Sequence, residues 1–134
     1  MEKSIKNKLM LLRKSLAENK IDTFMVLIEE NRHYISGFTG EDTQFDESAG
    51  ALFITDSKLI LATDSRYDQQ AKNEAPLFKI VCHKEGLAKE LPNIVDKLSK
   101  KWLGFESVRM SCKQYNKIDE ELKSSGVKVK LGFC

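Results

Sequence analysis

Short apolar runs alternate along this chain with segments whose apolar residues recur at the spacing of a helix. The run Thr23–Ile28 is continuous and lies between two acidic residues, which is typical of a central strand buried on both faces. The segment before it, over about 4–19, predicts an amphipathic helix. Its apolar stripe consists of Ile5, Leu9, Leu12 and Leu16. Because such a helix must bury its stripe against another element, the pattern favours helices packed on a sheet.

Five further strands are predicted after Thr23–Ile28. The apolar stretches 49–55 and 59–63 are joined by the polar turn Asp56-Ser57-Lys58, which predicts a hairpin. The other three strands are predicted at 77–82, 102–105 and 127–131.

Helices are predicted between these strands. One is capped by Asp64 or Ser65 and ends near Glu74. The next carries an apolar stripe over 87–98 with Pro92 in its middle, so it should begin near Pro92 or kink in its first turn.

The last helix begins at a capping box formed by Ser111 and Gln114 and ends at Gly126. Met10 and Met25 occupy apolar periodic positions and are expected in the core. Strands that alternate with helices predict a single α/β domain over 1–134, with a six-stranded mixed sheet flanked by helices.

The composition excludes several classes of function. Lys and Arg number 22 against 20 Asp and Glu, and the net charge of +2 offers no case for a nucleic-acid or membrane partner. No apolar run is long enough to span a bilayer or to form a signal peptide, so a cytoplasmic protein is expected. Three widely spaced cysteines suit neither a disulfide framework nor a zinc site. The last of them, Cys134, ends the chain where an apolar strand is passing into something else, and a truncation is expected.

The segment Asn31–Gly40 combines aromatic residues, two glycines and several polar residues within ten positions, which predicts a loop of defined shape. Asn31 can cap a short helix, and Gly37 supplies the left-handed conformation that ends one. Four of its residues are candidates either for packing or for lining the rim of a site in a partner. They are His33, Tyr34, Phe38 and Thr39.

The segment Thr63–Ala71 indicates a strand end that turns into a helix. Asp64 and Arg66 can form a fixed ion pair at this turn. Alternatively, Arg66 or Tyr67 faces a neighbouring domain or subunit.

These segments occur in an order that resembles a known family. Asn-Arg-His-Tyr-Ile-Ser-Gly-Phe-Thr-Gly at 31–40, Thr-Asp-Ser-Arg-Tyr-Asp-Gln-Gln-Ala at 63–71 and a third block at 103–115 resemble the amino-terminal domain of the creatinase/prolidase/Xaa-Pro aminopeptidase family. The resemblance runs from about Lys8 to Leu131. It implies a sheet with ribonuclease-H-like topology.

The resemblance also implies that the chemistry lies outside this chain. The peptidases of the family bind two divalent metals, usually manganese or cobalt, in a second, carboxy-terminal domain that this chain lacks. The two histidines, His33 and His83, have no metal-binding spacing. Cys82 and His83 are neighbours on a predicted strand, so their side chains point to opposite faces. No catalytic or metal-binding residue is therefore predicted here.

The function implied is a non-catalytic cap and oligomerisation domain of a Xaa-Pro aminopeptidase-type metallopeptidase. Its partners would be the catalytic domain of the same parent chain and a second copy in a homodimer, while the parent acts on short proline-containing peptides. The candidates of the two segments, with the acidic stretch through Glu47, would form a substrate rim or a subunit interface. The alternatives are a stand-alone protein-binding module of the same fold and the amino-terminal domain of a creatinase or a prolidase.

Overall fold

The computed structural model describes residues 2–41, 49–98, 102–105, 112–126 and 130–133. The helices are α1 (Glu2–Glu18), α2 (Glu29–Ser36), α3 (Asp68–Glu74), α4 (Leu87–Leu98) and α5 (Cys112–Ser124). The strands are β1 (Thr23–Val26), β2 (Gly50–Ile54), β3 (Leu59–Asp64), β4 (Lys79–His83), β5 (Trp102–Phe105) and β6 (Lys130–Phe133). None of the described helices is long and apolar enough to cross a membrane.

The strands form one mixed sheet in the order β4-β3-β2-β1-β5-β6. The pairs β1–β2 and β2–β3 are antiparallel, whereas β3–β4, β1–β5 and β5–β6 are parallel. The β2–β3 pair is the predicted hairpin, and β1 lies in the interior of the sheet as its continuous apolar run predicted. The expectation of a single α/β domain with a mixed sheet is confirmed.

Helices cover both faces of the sheet, and β2 shows how the two cores are separated. Phe53 packs with α4 and α5, while the adjacent Leu52 packs with α1 and α3. Both side chains are fully buried. Successive side chains of a strand point to opposite faces of the sheet, so a strand with helices on both sides must be apolar throughout. This explains why all five residues of β2 are apolar or small and buried.

Both predicted helix caps near the two sequence segments are wrong. α2 begins at Glu29 rather than at Asn31, and its N-cap residue, Ile28, makes no side-chain capping hydrogen bond. Glu29 and Glu30 occupy its first turn, where negative charge interacts favourably with the helix dipole. α3 begins at Asp68, after the predicted caps Asp64 and Ser65. The carboxylate of Asp64 instead accepts hydrogen bonds from Arg66.

Two other expectations are also corrected. α4 begins five residues before Pro92 and contains it, because burial of the apolar stripe on either side outweighs the hydrogen bond that proline cannot donate. Met10 is 63% exposed: it follows the buried Leu9, and a step of one residue rotates by about 100° around a helix. Met25 is buried as expected. The predicted cap Ser111 lies outside the described residues.

Candidate functional site

The two sequence segments meet in space. The ring of Phe38, in the loop after α2, packs edge-on against the ring of Tyr67, in the turn before α3, with centroids 6.0 Å apart and planes at 87°. Phe38 is buried and Tyr67 is half-buried. We call the loop Gly37–Gly40 and the turn Asp64–Tyr67 together the loop–turn site.

Arg32 anchors the loop from inside the protein. Its side chain is fully buried, and Nη1 donates to the carbonyl of Leu27 while Nη2 donates to the carbonyl of Gly40, each at 2.8 Å. The guanidinium group thus ties the far end of the loop to the segment that follows β1. Sequence reasoning missed this residue. The spacing of the sequence could have indicated that Arg32 is buried. It lies four residues after Ile28 and three before Ile35, on the apolar side of α2.

Both glycines of the loop are required by close packing. Gly37 ends α2 in the left-handed conformation with φ of 91°, as predicted, and a Cβ there would lie 2.7 Å from the carbonyl oxygen of Glu74. A Cβ at Gly40 would overlap the ring of Phe38. The loop therefore folds over its own phenylalanine, which explains the Gly-Phe-Thr-Gly sequence.

Thr39 fastens the loop to α3. Its backbone N–H donates to Glu74 Oε1 at 2.9 Å, and its hydroxyl group lies 2.7 Å from Glu74 Oε2 and 2.9 Å from the amide nitrogen of Gln70. The hydroxyl can donate to the carboxylate and accept from the amide at the same time. Gln70 and Glu74 were not predicted as site residues, although their spacing places them on one side of α3.

The same contacts control the ionisation of Glu74. Burial raises the pKa of this carboxyl group, but hydrogen bonds from the backbone and side chain of Thr39 and from Gln70 lower the pKa by more, with a smaller contribution from His33. The net pKa is below its ordinary value, so Glu74 is a carboxylate at neutral pH and keeps accepting from Thr39.

Asp64 and Arg66 form the predicted ion pair. Arg66 Nη2 lies 2.7 Å from Asp64 Oδ2, and the backbone N–H of Arg66 donates to Asp64 Oδ1 at 2.9 Å. The hydrogen bond from the Arg66 side chain is the main cause that holds the pKa of Asp64 below its ordinary value. The Arg66 side chain is 60% exposed and its guanidinium carbon lies 5.3 Å from the ring centroid of Tyr67.

His83 lies beside Asp64 on the next strand, since the β3–β4 register pairs the two residues. His83 is buried and Cys82 is exposed, which confirms that their side chains point to opposite faces. Burial lowers the pKa of His83, and the nearby charges of Asp64 and Glu90 reverse this only in part. Among the described residues its Nδ1 has no hydrogen-bond partner. The His83 imidazole is therefore neutral at neutral pH.

Tyr34 does not join the loop–turn site. It lies 61% exposed on the side of α2 that faces α1, where the ammonium of Lys8 is 3.9 Å from its ring centroid. His33 is exposed as well, and its charge acts on Glu74 at the edge of the site. The structure therefore brings together Phe38, Thr39, Asp64, Arg66 and Tyr67, with His33 at the margin. The stretch 42–48 of the predicted rim lies outside the described residues.

The charged groups of the site maintain its shape. Arg32 and Glu74 each hold the loop, and Asp64 holds the turn. In the part of the chain that the structure describes, no group of three or more His, Cys, Asp and Glu side chains could hold a metal ion. The arrangement leaves Thr39 of the loop and Arg66 of the turn exposed, each held by its own hydrogen bonds.

Comparison with known proteins finds curated relatives much longer than this chain, whose match covers 29% of the first of them and 19% of the second. A curated relative, an uncharacterized peptidase of Bacillus subtilis called YqhT, is 33% identical over 108 residues, which cover 81% of this chain and 29% of the relative. The structure of a Xaa-Pro dipeptidase from Bacillus anthracis superposes with a TM-score of 0.81 at 27% identity, covering 97% of this chain and 33% of that one.

A second solved structure matches over most of its own length. It is the N-terminal domain of the cytoplasmic peptidase PepQ from Mycobacterium tuberculosis, with a TM-score of 0.77 at 25% identity, covering 92% of this chain and 88% of that one. The family model described as the creatinase/prolidase N-terminal domain matches residues 8–131. Loop, turn and fold therefore agree, and the chain belongs to the creatinase/prolidase N-terminal domain family.

Proposed function

We propose that this chain is the non-catalytic cap and oligomerisation domain of a Xaa-Pro aminopeptidase-type metallopeptidase. Peptide bonds next to proline are cleaved in a separate carboxy-terminal domain, which is also where the manganese or cobalt ions bind. The observation that carries this proposal is the loop–turn site, in which Arg32, Asp64 and Glu74 hold backbone and neighbouring side chains in place. Such a site supplies shape to a neighbouring active site and leaves bond cleavage to the other domain.

The rim of the proposed cap has an exposed layer and a supporting layer. His33, Thr39 and Arg66 are exposed and form the part that approaches short proline-containing peptides. Phe38, Asp64 and Tyr67 lie behind them and keep them in position. Tyr34, on the α1 side, belongs to the subunit interface instead.

Two finer features go with this proposal. A ribonuclease-H-like topology is supported by the antiparallel β1, β2 and β3, with β5 and β6 parallel to β1 on its other side. A cytoplasmic location is supported by the relative from Mycobacterium tuberculosis, whose structure is described as that of a cytoplasmic peptidase.

A domain exchange tests the cap. The 134-residue chain replaces the matching third of the Bacillus anthracis dipeptidase. The chimera, the dipeptidase without that third and the isolated chain are assayed with manganese on a Xaa-Pro dipeptide and on a longer peptide that begins with Xaa-Pro. We expect no hydrolysis by the isolated chain, and a chimera that discriminates more strongly against the longer peptide than the truncated enzyme does.

Single substitutions in the chimera test whether the proposed rim contacts the peptide. Arg66→Ala removes an exposed side chain of the proposed rim, whereas Lys117→Ala removes an exposed cation on α5, on the other face of the sheet. Arg66→Ala should change KM for the peptides, and Lys117→Ala should not. Hydrolysis by the isolated chain, or equal discrimination with and without the domain, would contradict the proposal.

A further inference from the structure

A buried histidine lies behind the turn of the loop–turn site. Asp64 and His83 are the last residues of β3 and β4, and the parallel register pairs them. Neighbouring strands lie about 4.8 Å apart, so the two side chains leave the same face of the sheet within reach of each other. His83 is 7% exposed, whereas the Asp64 side chain is 23% exposed. The histidine therefore lies on the interior side of the Asp64–Arg66 ion pair.

The charges that act on His83 are negative. Burial lowers the pKa of His83, and Asp64 on β3 and Glu90 on α4 both raise it. The cation that precedes Glu90, Lys89, is itself paired with Glu121 of α5 at 3.4 Å. Carboxylates on two elements thus face an imidazole whose Nδ1 has no hydrogen-bond partner in the described part of the chain.

Protonation changes what His83 requires from its surroundings. A neutral imidazole has one N–H donor, whereas an imidazolium has two donors and a full positive charge. A charge in the interior must be paired, and a carboxylate forms the strongest hydrogen bond with it. Asp64 acts on the imidazole more strongly than Glu90 does and lies on the adjacent strand, so we assign Asp64 as the acceptor.

The carboxylate of Asp64 cannot hold both partners in full. Its Oδ2 accepts from Nη2 of Arg66 at 2.7 Å and its Oδ1 accepts from the backbone N–H of Arg66 at 2.9 Å. The Arg66 side chain is 60% exposed, so water can replace its contacts at little cost. A buried imidazolium has no such replacement. In a competition for Asp64, the protonated histidine should therefore displace Arg66.

We propose that His83 is a positioning residue for the rim of the proposed cap. As a neutral imidazole it leaves Asp64 bound to Arg66, and as an imidazolium it draws the Asp64 carboxylate inward and releases Arg66 from its fixed position. Acidification thereby changes how the rim presents its exposed cation. This inference rests on the proposed function, in which Arg66 approaches the peptide, and adds a pH-dependent control of that residue.

NMR of the 134-residue chain follows both residues without any substitution. The imidazole signals report the protonation of His83. The nitrogen signal of the Arg66 Nε–H group reports its contact with Asp64 Oδ1, at 3.1 Å. Between about pH 7.5 and about pH 5 we expect the Arg66 signal to shift with the same midpoint as His83. Protonation of Asp64 itself does not cause this shift, because its pKa lies below the ordinary value of about 4.

Two glutamine variants separate the two histidines of the chain. In His83→Gln the Arg66 signal should stay constant over this range. His33→Gln removes the exposed histidine at the margin of the site and should leave the shift and its midpoint unchanged. An Arg66 signal that does not follow His83, or that still moves in His83→Gln, would overturn the coupling. So would an imidazole that stays neutral down to acid unfolding, or one that pairs with Glu90 while Arg66 stays in place.

Peptide hydrolysis by the chimera tests the consequence for the rim. From pH 7.5 to pH 5.5, KM of the native chimera relative to that of the His83→Gln chimera should move toward the Arg66→Ala value by about threefold, as expected for loss of an exposed charged contact. The ratio of the two kcat values should stay constant. A KM ratio that is independent of pH would refute the positioning role. The cap itself is judged against the truncated dipeptidase, so the two failures are distinguishable.

Discussion

Arg32 carries a positive charge into the interior and uses it to hold backbone. Its guanidinium group donates to the carbonyls of Leu27 and Gly40, and both would lose a donor if the side chain were replaced. A buried carbonyl without a partner costs about 1–3 kcal/mol. Stability and loop position therefore depend on the same residue.

Arg32→Met tests this dependence, because methionine keeps most of the volume and removes the donors. We expect the free energy of unfolding to fall by about 2–3 kcal/mol, measured by urea unfolding. Arg13→Met is the matched control. Arg13 also donates to carbonyls, those of Thr55 and Lys58, but it is partly exposed, so water replaces its bonds and the loss should stay under about 1 kcal/mol. Equal losses in the two variants would refute this role of Arg32.

At the scale of the element, the loop Gly37–Gly40 works as one packed unit. Phe38 fills the space that glycine leaves at position 40 and contacts the turn before α3 through Tyr67. Thr39 fixes the exposed side of the same loop to Glu74. The loop is therefore held by α3, by the turn and by Arg32 at the same time.

Gly40→Ala should destabilise the protein by about 1–3 kcal/mol, because its methyl group overlaps the ring of Phe38 in a packed interior. Phe38→Leu makes room for that methyl group. The double variant should consequently lose less stability than the sum of the two single variants. Thermal or urea unfolding of the four proteins gives the coupling, and strictly additive losses would show that Gly40 and Phe38 do not compete for the same space.

At the scale of the whole molecule, three ionisable groups make stability depend on pH in the same direction. The pKa values of Asp64 and Glu74 are lowered in the folded state by their hydrogen bonds, and that of His83 is lowered by burial. In each case the unfolded chain binds more protons at acidic pH, so the free energy of unfolding rises with pH. The His83 contribution is complete above the pKa of an exposed histidine, about 6.5, and is lost below it.

Acidification from pH 7.5 to pH 5.5 should therefore lower the free energy of unfolding, with a His83 contribution of at most about 1.4 kcal/mol per pH unit. His83→Gln removes this titration and should flatten the dependence in that interval. The steeper loss below about pH 4, where carboxylates take up protons, should remain. Urea unfolding at a series of pH values separates the two ranges, and an unchanged slope in His83→Gln would contradict the assignment.

The order of the elements and much of their placement could be read from the sequence. The continuous apolar run at Thr23–Ile28 predicted an interior strand, and the hairpin, the end of α2 at Gly37 and the Asp64–Arg66 ion pair were also predicted correctly. These features depend on neighbours close in the chain, where the periods of helix and strand are set by backbone geometry. The helix starts were less predictable, because turn hydrogen bonds compete with capping for the same side chains.

The local pattern of this chain determined its α/β class and its family, since both are expressed in spacings of a few residues. Only the tertiary structure decided which distant residues contact one another. The ring of Phe38 packs against that of Tyr67. The buried Arg32 donates to the carbonyl of Gly40, and Glu74 accepts a hydrogen bond from Thr39. It also decided that Met10 stays outside. A periodic pattern reports which side of an element is buried, whereas the identity of the partner depends on how distant segments fill space together.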